Sequence, residues 1–232
     1  MQPSHHEAPS ARTVYGIPPE GALLILVRHG ETTWNAESRV QGQMDSPLSE
    51  LGIAQARCVA KCLESEAIAA VYSSDLSRAA DTASIIAEPH GLGVIPSRKL
   101  READYGDWTG CTMDEVRARW PEEYRRHVHS PHTARIPGGE SSVELMERSF
   151  AFAREAAERH YRESFLIVGH GGSVRGILCG ILGCLERFWG FKLNNGGISA
   201  VEWKPTGPRI LGINDVSHLR GLGVTGSLQE TA

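Results

Sequence analysis

The sequence predicts an α/β fold with a parallel sheet, and two observations carry that prediction. Short apolar runs at 23–27, 69–74 and 164–169 have the length and continuity of strands buried on both faces. Segments with helical periodicity follow these runs, so that strands and helices alternate along the chain. Weaker strand patterns occur at 93–97, 198–203 and 208–213.

Length and composition indicate one globular domain. The chain has 232 residues, of which 41% are hydrophobic and 22% charged, as expected of a soluble protein with a single sizeable core. The net charge of −4 disfavours nucleic acid as a partner, and no apolar run reaches the length needed to cross a membrane. We expect a flexible arm at 1–20, a domain at 21–218 and a tail at 219–232.

The cysteines indicate a reducing compartment. Five of them are scattered along the chain without a CxxC pair, which suits neither a disulfide framework nor a zinc site: Cys58, Cys62, Cys111, Cys179 and Cys184. We therefore expect reduced thiols and a cytoplasmic location.

The first strand leads directly into candidate site residues. The stretch LLILVRHGETTWN ends its apolar run in Arg28, His29 and Gly30. In open α/β sheets ligands bind where strands end. A guanidinium at that place suits phosphate or carboxylate, and an imidazole can act as base, nucleophile or metal ligand.

Two later strands end in the same way. The run at 69–74 is followed by a helix predicted to end near Pro89, and Arg78 near its start can direct a guanidinium at an anion. The run at 164–169 leads into His170, Gly171 and Gly172 and then another helix. Further helices are predicted after Ser49, which is placed to cap one, and from Ser142 to His160 after the sequence PGGES.

Four motifs occur in a familiar order: RHGETTWN, SSDLSRAADTA, LREADYGDW and VGHGG. Together they resemble the histidine phosphatase superfamily, in the branch that contains cofactor-dependent phosphoglycerate mutase, over about residues 22–215. The resemblance implies a three-layer α/β/α sandwich with a mostly parallel central sheet. It also implies a phosphohistidine intermediate that forms without a metal or another cofactor.

The resemblance assigns roles residue by residue. His29 matches the histidine that becomes phosphorylated, His170 matches the second catalytic histidine, and Glu102 matches the acid that protonates the leaving oxygen. Asp104 and Asp107 compete with Glu102 for that role. The remaining expected phosphate-binding residues are Arg28, Asn35, Gln41, Arg78, His170 and Gly171, although Gln41 fits equally well as a solvated loop residue.

The segment 111–140 corresponds to an insertion that caps the pocket in this family. A helix at 113–124, interrupted near Pro121, is predicted to begin it. By analogy Arg125, Arg126, His127 and His129 are candidates to contact an anionic substrate, and a solvated face is the alternative. His132 completes a group of three histidines whose spacing resembles no standard zinc pattern.

The expected activity is hydrolysis of a small phosphorylated metabolite, with phosphoserine among the candidates. Mutases of this family usually carry a lysine soon after the acid, and this chain has TGCTMDE there. The resemblance is therefore closer to the small phosphatases, which include phosphoserine, α-ribazole and broad-specificity phosphatases. A phosphoglycerate mutase and a non-catalytic phosphoryl-binding scaffold of the same fold are the alternatives, and a homodimer is left open.

Overall fold

A six-stranded sheet forms the centre of the molecule. The computed structural model describes residues 20–222, and the strands lie in the order β3-β2-β4-β1-β5-β6. Their bounds are Ala22–Arg28 (β1), Ile68–Ser74 (β2), Val94–Ser97 (β3), Ser164–Gly169 (β4), Ile198–Lys204 (β5) and Gly207–Asp215 (β6). Of these six, β5 runs against both of its neighbours and the others are parallel, so the mostly parallel sheet predicted from the sequence is confirmed.

Helices cover both faces of the sheet. The α-helices are Thr33–Ala36 (α1), Glu50–Leu63 (α2), Ser77–Ala87 (α3), Met113–Arg119 (α4), Pro121–His129 (α5), Ser142–Arg159 (α6) and Gly171–Leu182 (α7). Short 3₁₀ helices span Glu88–His90, Arg98–Leu100, Gly106–Trp108, Leu185–Gly190 and Ser217–Leu222.

The alternation of side chains along β1 creates the three layers. Leu23, Ile25 and Val27 pack with residues of α2 and α3, whereas Leu24 and Leu26 pack with residues of α6 and α7. All five side chains are fully buried. Because successive side chains of a strand point to opposite faces, one apolar run supplies both cores of the sandwich.

Local sequence signals set the helix ends. The Ser49 hydroxyl accepts a hydrogen bond from the Gly52 amide, which caps α2 as predicted, and the Ser141 hydroxyl accepts one from the Glu144 amide, which caps α6. The predicted helix at 113–124 is divided into α4 and α5 because Pro121 occupies the first turn of a new helix.

The packed domain extends past its predicted boundary. The 3₁₀ helix Ser217–Leu222 crosses residue 218, and the side chain of Leu219 is fully buried. The expected arm at 1–20 and tail at 219–232 otherwise lie outside the described residues. Across residues 20–222 no helix is long and apolar enough to cross a membrane, and all five cysteines are free thiols.

The loop that follows β1 packs directly on the backbone of α2. A Cβ atom at Gly52 would lie 2.0 Å from the carbonyl oxygen of Glu31, and one at Gly30 would lie 2.3 Å from the carbonyl oxygen of Gly52. Both neighbouring atoms belong to backbone, so neither can move aside cheaply. The loop that carries His29 can therefore pack this closely on α2 only because both positions are glycine.

We expect Gly52→Ala to destabilise the protein, although the same change inside an exposed helix normally stabilises it by about 1 kcal/mol. Overpacking lowers the free energy of unfolding by about 1–3 kcal/mol. Each kcal/mol lowers the Tm of a domain of this size by roughly 2–4 °C. Thermal unfolding measures this effect. Gly93→Ala is the matched control, because nothing lies within 4 Å of a Cβ atom there. A Tm for Gly52→Ala at or above that of the control would contradict the contact.

Candidate active site

The register of the sheet brings two histidines together. Arg28 at the end of β1 pairs with Gly169 at the end of β4, and the His29 amide donates to the Gly169 carbonyl over 2.9 Å. His29 and His170 thus leave adjacent parallel strands at the same level. Their ring centroids lie 5.0 Å apart, and both side chains are buried.

His29 is neutral and is held in one tautomer. Its Nδ1 lies 2.6 Å from the Gly30 carbonyl oxygen, which can only accept, so Nδ1 carries the proton and Nε2 the lone pair. Burial, with the neighbouring Arg78 and Arg28 guanidiniums, holds the pKa of His29 well below its usual value. The ring therefore presents an unprotonated nitrogen at neutral pH.

His170 packs against His29 but is not itself among the residues that line the pocket. Burial, followed by the charge of Arg78, holds its pKa well below the usual value. Both ring nitrogens are buried and lack a hydrogen-bond partner among residues 20–222. Buried polar atoms are nearly always paired in folded proteins, so two such atoms beside a pocket indicate a polar ligand.

Two guanidiniums flank the histidines. Arg28 donates to the Leu193 carbonyl, and Arg78 donates to the carbonyls of Met44 and Gly42 over 2.8 and 2.7 Å. Burial lowers the pKa of Arg78 to about 10, which still leaves it charged at neutral pH. Thr82 links Arg78 to the first loop, since its hydroxyl accepts from the Gly30 amide and donates to the Arg78 carbonyl.

Glu102 lies beside this group and is held by backbone amides. Its carboxylate accepts hydrogen bonds from the amides of Ala103 at 2.8 Å and Gly172 at 3.0 Å. A Cβ atom at Gly172 would lie 2.0 Å from the Glu102 carboxylate, so a residue with a side chain there would displace it. Arg148 fixes the Glu102 backbone by donating to its carbonyl while bound to Glu140.

The other predicted phosphate-binding residues also reach the pocket. Asn35, Gln41 and Gly171 line it together with Arg28, His29, Arg78 and Glu102. The Asn195 side-chain amide donates to the His29 carbonyl at 3.0 Å and to Asn35 Oδ1 at 3.3 Å, which ties the turn before β5 to the loop after β1. Asp104 and Asp107 are exposed and do not line the pocket, so the geometry favours Glu102 over both competitors.

The sequence did not identify four of the residues that line the pocket. Tyr105, Met113, Arg175 and Trp189 line it. Arg175 lies four residues after Gly171 on α7 and therefore on the same helix face. The spacing of Arg175 from Gly171, a predicted site residue, could have identified it from the sequence. Trp189 comes from a separate 3₁₀ helix, and no sequence pattern links it to the site.

The structure does not bring the predicted capping residues to the pocket. Arg125 and Arg126 are exposed on α5 and form ion pairs with Glu122 and Glu123 one turn earlier, because these residues lie on the solvent face of the helix. His127 lies on the opposite face. It is buried against Trp108, Tyr105 and Trp189, so it supports the pocket wall without lining the pocket.

His129 and His132 are exposed, and the two do not form a cluster with His127. No group of three or more His, Cys, Asp or Glu side chains within residues 20–222 could hold a metal ion.

The fold and the site together define an α/β protein with a pocket at the ends of its parallel strands whose guanidiniums and imidazole are suited to an anion. The model of the histidine phosphatase superfamily (branch 1) matches residues 24–216, and the chain belongs to this family.

Curated relatives cover most of the chain. Phosphoserine phosphatase 1 of Hydrogenobacter thermophilus is 38% identical over 197 residues, which cover 84% of this chain and 93% of that protein. A metal-independent phosphoserine phosphatase of Arabidopsis thaliana is 39% identical over 203 residues, 86% and 84% of the two chains. A probable phosphoglycerate mutase GpmB of Yersinia pestis is 37% identical over 204 residues, 84% and 94% of the two chains. The family and the phosphatase relatives make this chain a phosphoric monoester hydrolase.

Solved structures share the fold. YhfR of Bacillus stearothermophilus superposes with a TM-score of 0.82 at 32% identity, covering 86% of this chain and 100% of that one. A phosphoserine phosphatase of Entamoeba histolytica in complex with 3-phosphoglyceric acid superposes with a TM-score of 0.79 at 27% identity, covering 85% and 99%. Small phosphorylated ligands thus bind to proteins of this fold, and the predicted phosphoglycerate mutase-like architecture is confirmed.

We expect the buried ring of His127 to make stability depend on pH. Burial lowers its pKa to about 4, whereas the unfolded ring has the ordinary value of 6.5. The unfolded state therefore binds the proton first as the pH falls, so the folded state loses stability between about pH 6.5 and pH 4. Between about pH 7.5 and about pH 5 that loss is on the order of 2 kcal/mol, at about 1.4 kcal/mol per pKa unit.

Replacing His127 with Phe should remove this part of the pH dependence while the aromatic packing is kept. Chemical unfolding at the two pH values measures the difference from the wild type. His129→Phe, on the exposed face of the same helix, should keep the wild-type dependence. Equal pH dependence in His127→Phe and the wild type would show that His127 is not buried as a neutral ring.

Proposed function

We propose that this chain is a metal-independent phosphatase that hydrolyses a small phosphomonoester through a phosphohistidine at His29, with phosphoserine as its substrate. The observation that carries the proposal is the contact between His29 and His170, whose ring centroids lie 5.0 Å apart, at a pocket that His29 lines together with Arg28 and Arg78. The cationic side chains of this pocket can stabilise the charge of a phosphoryl group, which other phosphatases do with metal ions.

In the first step Nε2 of His29 attacks the phosphorus atom. The Gly30 carbonyl, which accepts from Nδ1, stabilises the positive charge that develops on the ring. Arg28 and Arg78 hold the equatorial oxygens, on which the transferring group carries its charge. The bond from phosphorus to the ester oxygen breaks, and Glu102 gives its proton to that oxygen, so that the alcohol leaves.

In the second step a water molecule takes the place of the alcohol. The Glu102 carboxylate accepts a proton from the water, whose oxygen attacks the phosphorus as the bond to Nε2 breaks. Inorganic phosphate leaves, and His29 returns to its neutral form. One set of donors therefore serves both displacements, which is the advantage of a covalent intermediate.

Two lines of support favour phosphoserine as the substrate. Relatives named as phosphoserine phosphatases match at 38% and 39% identity over most of the chain. A solved neighbour of 26% identity and TM-score 0.78 is named as a phosphoserine phosphatase in complex with phosphoserine, and it covers 85% of this chain and 99% of that one.

Phosphoglycerate mutase is the second candidate, because one relative of 37% identity carries that name. A mutase must keep its phosphohistidine away from water and return the phosphoryl group to the substrate. The absence of a lysine in TGCTMDE disfavours it. A non-catalytic scaffold is disfavoured because all five residues assigned to catalysis are present, and all but His170 are among those that line the pocket.

We also propose that the protein works in the cytoplasm, with a small phosphorylated molecule as its partner. Support comes from the cysteines, all of which are free thiols. A homodimer is part of the same proposal and is tested by measuring the molar mass in solution.

Trapping the intermediate tests the proposed function. We expect labelled phosphoserine, quenched in alkali in the presence of EDTA, to leave a phosphoryl group on His29 that is stable in alkali and labile in acid. Hydrolysis should resist EDTA and fall to the uncatalysed level in His29→Ala. His129→Ala, at an exposed histidine, is the control and should keep the wild-type rate. Loss of activity with EDTA, or bisphosphate-primed interconversion of phosphoglycerates in place of phosphate release, would contradict the proposal.

Glu102→Gln tests the acid and base roles separately. Loss of a positioned proton donor costs about 10²–10⁴-fold, so turnover of phosphoserine should fall by that amount. The nitrophenolate of p-nitrophenyl phosphate leaves without a proton, so its first step should continue while the second step lacks a base. We expect a burst of nitrophenol equal to the enzyme concentration, followed by slow turnover. Asp107→Asn is the control, and an equal loss of first-step rate with both substrates would exclude this role for Glu102.

A further inference from the structure

The pocket contains more than the group that surrounds the two histidines. Its lining also includes the side chains of Tyr105, Met113 and Trp189 and one further charged residue, Arg175. The reaction steps described above use none of these four. A single guanidinium in an otherwise apolar wall is a typical arrangement for fixing the orientation of a small ligand.

Arg175 is held in position from several sides. Its side chain is buried, and Nε donates to the Phe191 carbonyl at 2.9 Å. The guanidinium carbon lies 4.9 Å from the ring centroid of Trp189 and 5.8 Å from that of Phe188. Aromatic faces and a carbonyl fix the plane of the guanidinium in advance, which reduces the entropy lost when a ligand binds to it.

The pocket is lined by more guanidiniums than carboxylates. Arg28, Arg78 and Arg175 line it together with one acid, Glu102. Arg28 and Arg78 are assigned to the phosphoryl group in the proposed reaction, and Arg175 is the third guanidinium. A planar guanidinium binds a carboxylate through two parallel hydrogen bonds, so a carboxylate elsewhere on the substrate is the group that fits Arg175 best.

We propose that Arg175 binds the carboxylate of the substrate and thereby selects phosphorylated hydroxy acids and amino acids over simple phosphate esters. The proposal rests on the proposed function, because it assumes that the phosphoryl group lies between His29 and His170. It adds a specificity-determining residue, at the end of the pocket formed by α7 and the 3₁₀ helix Leu185–Gly190.

The position of Arg175 allows one helix, α7, to contact both ends of a small substrate. Gly171, in the first turn of α7, and Arg175, one turn later, both line the pocket. The helix therefore contributes to the phosphoryl end with its first residues and to the carboxylate end with Arg175. One helical turn rises about 5.4 Å, so the two binding positions are separated by about the length of a three-carbon substrate.

Pairs of substrates that differ in the carboxylate test the proposal. Phosphoethanolamine is phosphoserine without its carboxylate, and glycerol 3-phosphate carries a hydroxymethyl group in place of the carboxylate of 3-phosphoglycerate. We expect the wild type to prefer the carboxylate member of a pair in kcat/KM, and we expect Arg175→Met to reduce that ratio about 100-fold, since charged hydrogen bonds are lost. Arg175→Lys, which keeps the charge without the fork, should restore part of the ratio.

The matched control is Arg187→Met, because Arg187 is exposed on the neighbouring 3₁₀ helix and should keep the wild-type ratio. If Arg175 only supports the fold, Arg175→Met lowers kcat/KM equally for both members and leaves the ratio unchanged, which overturns the proposal. A wild type without any preference also overturns it. A failure of the proposed function gives a different result, because the wild type then hydrolyses neither pair. In that case the dissociation constants of the two members of a pair, measured by calorimetry for the wild type and Arg175→Met, still test the role of Arg175.

Discussion

The parallel pairing of β1 with β4 is the constraint on which the rest of the structure depends. The register aligns Arg28 with Gly169, and the His29 amide closes the ladder on the Gly169 carbonyl. Each strand then delivers its histidine at the same height on one edge of the sheet. A shift of one residue would turn His29 to the opposite face, since strand side chains alternate.

Other contacts convert this pair of histidines into a rigid site. The turn before β5 holds the backbone of the first loop, through the Asn195 amide on the His29 carbonyl and the Gly196 amide on the Arg28 carbonyl. On the other side Arg148 donates to the carbonyls of Lys99, Arg101 and Glu102. Residues from several distant parts of the chain therefore fix the backbone of His29 and of Glu102, the proposed nucleophile and the proposed acid. Such fixed supports are what make a site pre-organised.

The sequence predicted those parts of the site that have local signals. A buried apolar run that ends in Arg28 and His29, or in His170, identifies a strand and its ligand-binding end together. Tertiary packing determined what the sequence could not predict. The pattern of α5 leaves open which face meets the protein, and it is His127 that packs inward while Arg125 and Arg126 face solvent. Arg175 reads as an ordinary residue inside a helix until the first turn of that helix is known to line a pocket.

The electrostatics of the site depend on the ligand as well as on the protein. Burial holds the pKa values of His29 and His170 well below the usual value and lowers that of Arg78 to about 10, so the protein bears the cost of burying these groups. At His170 burial is the larger cause of the lowered pKa and the charge of Arg78 is the second. In the proposed reaction a bound dianion offsets that charge, so phosphate binding favours the protonated form of this ring. At His29, Nδ1 already carries a proton directed at the Gly30 carbonyl, which leaves Nε2 as the nitrogen with a lone pair. The fixed tautomer of His29 is therefore what distinguishes two adjacent neutral imidazoles as the proposed nucleophile and the proposed donor.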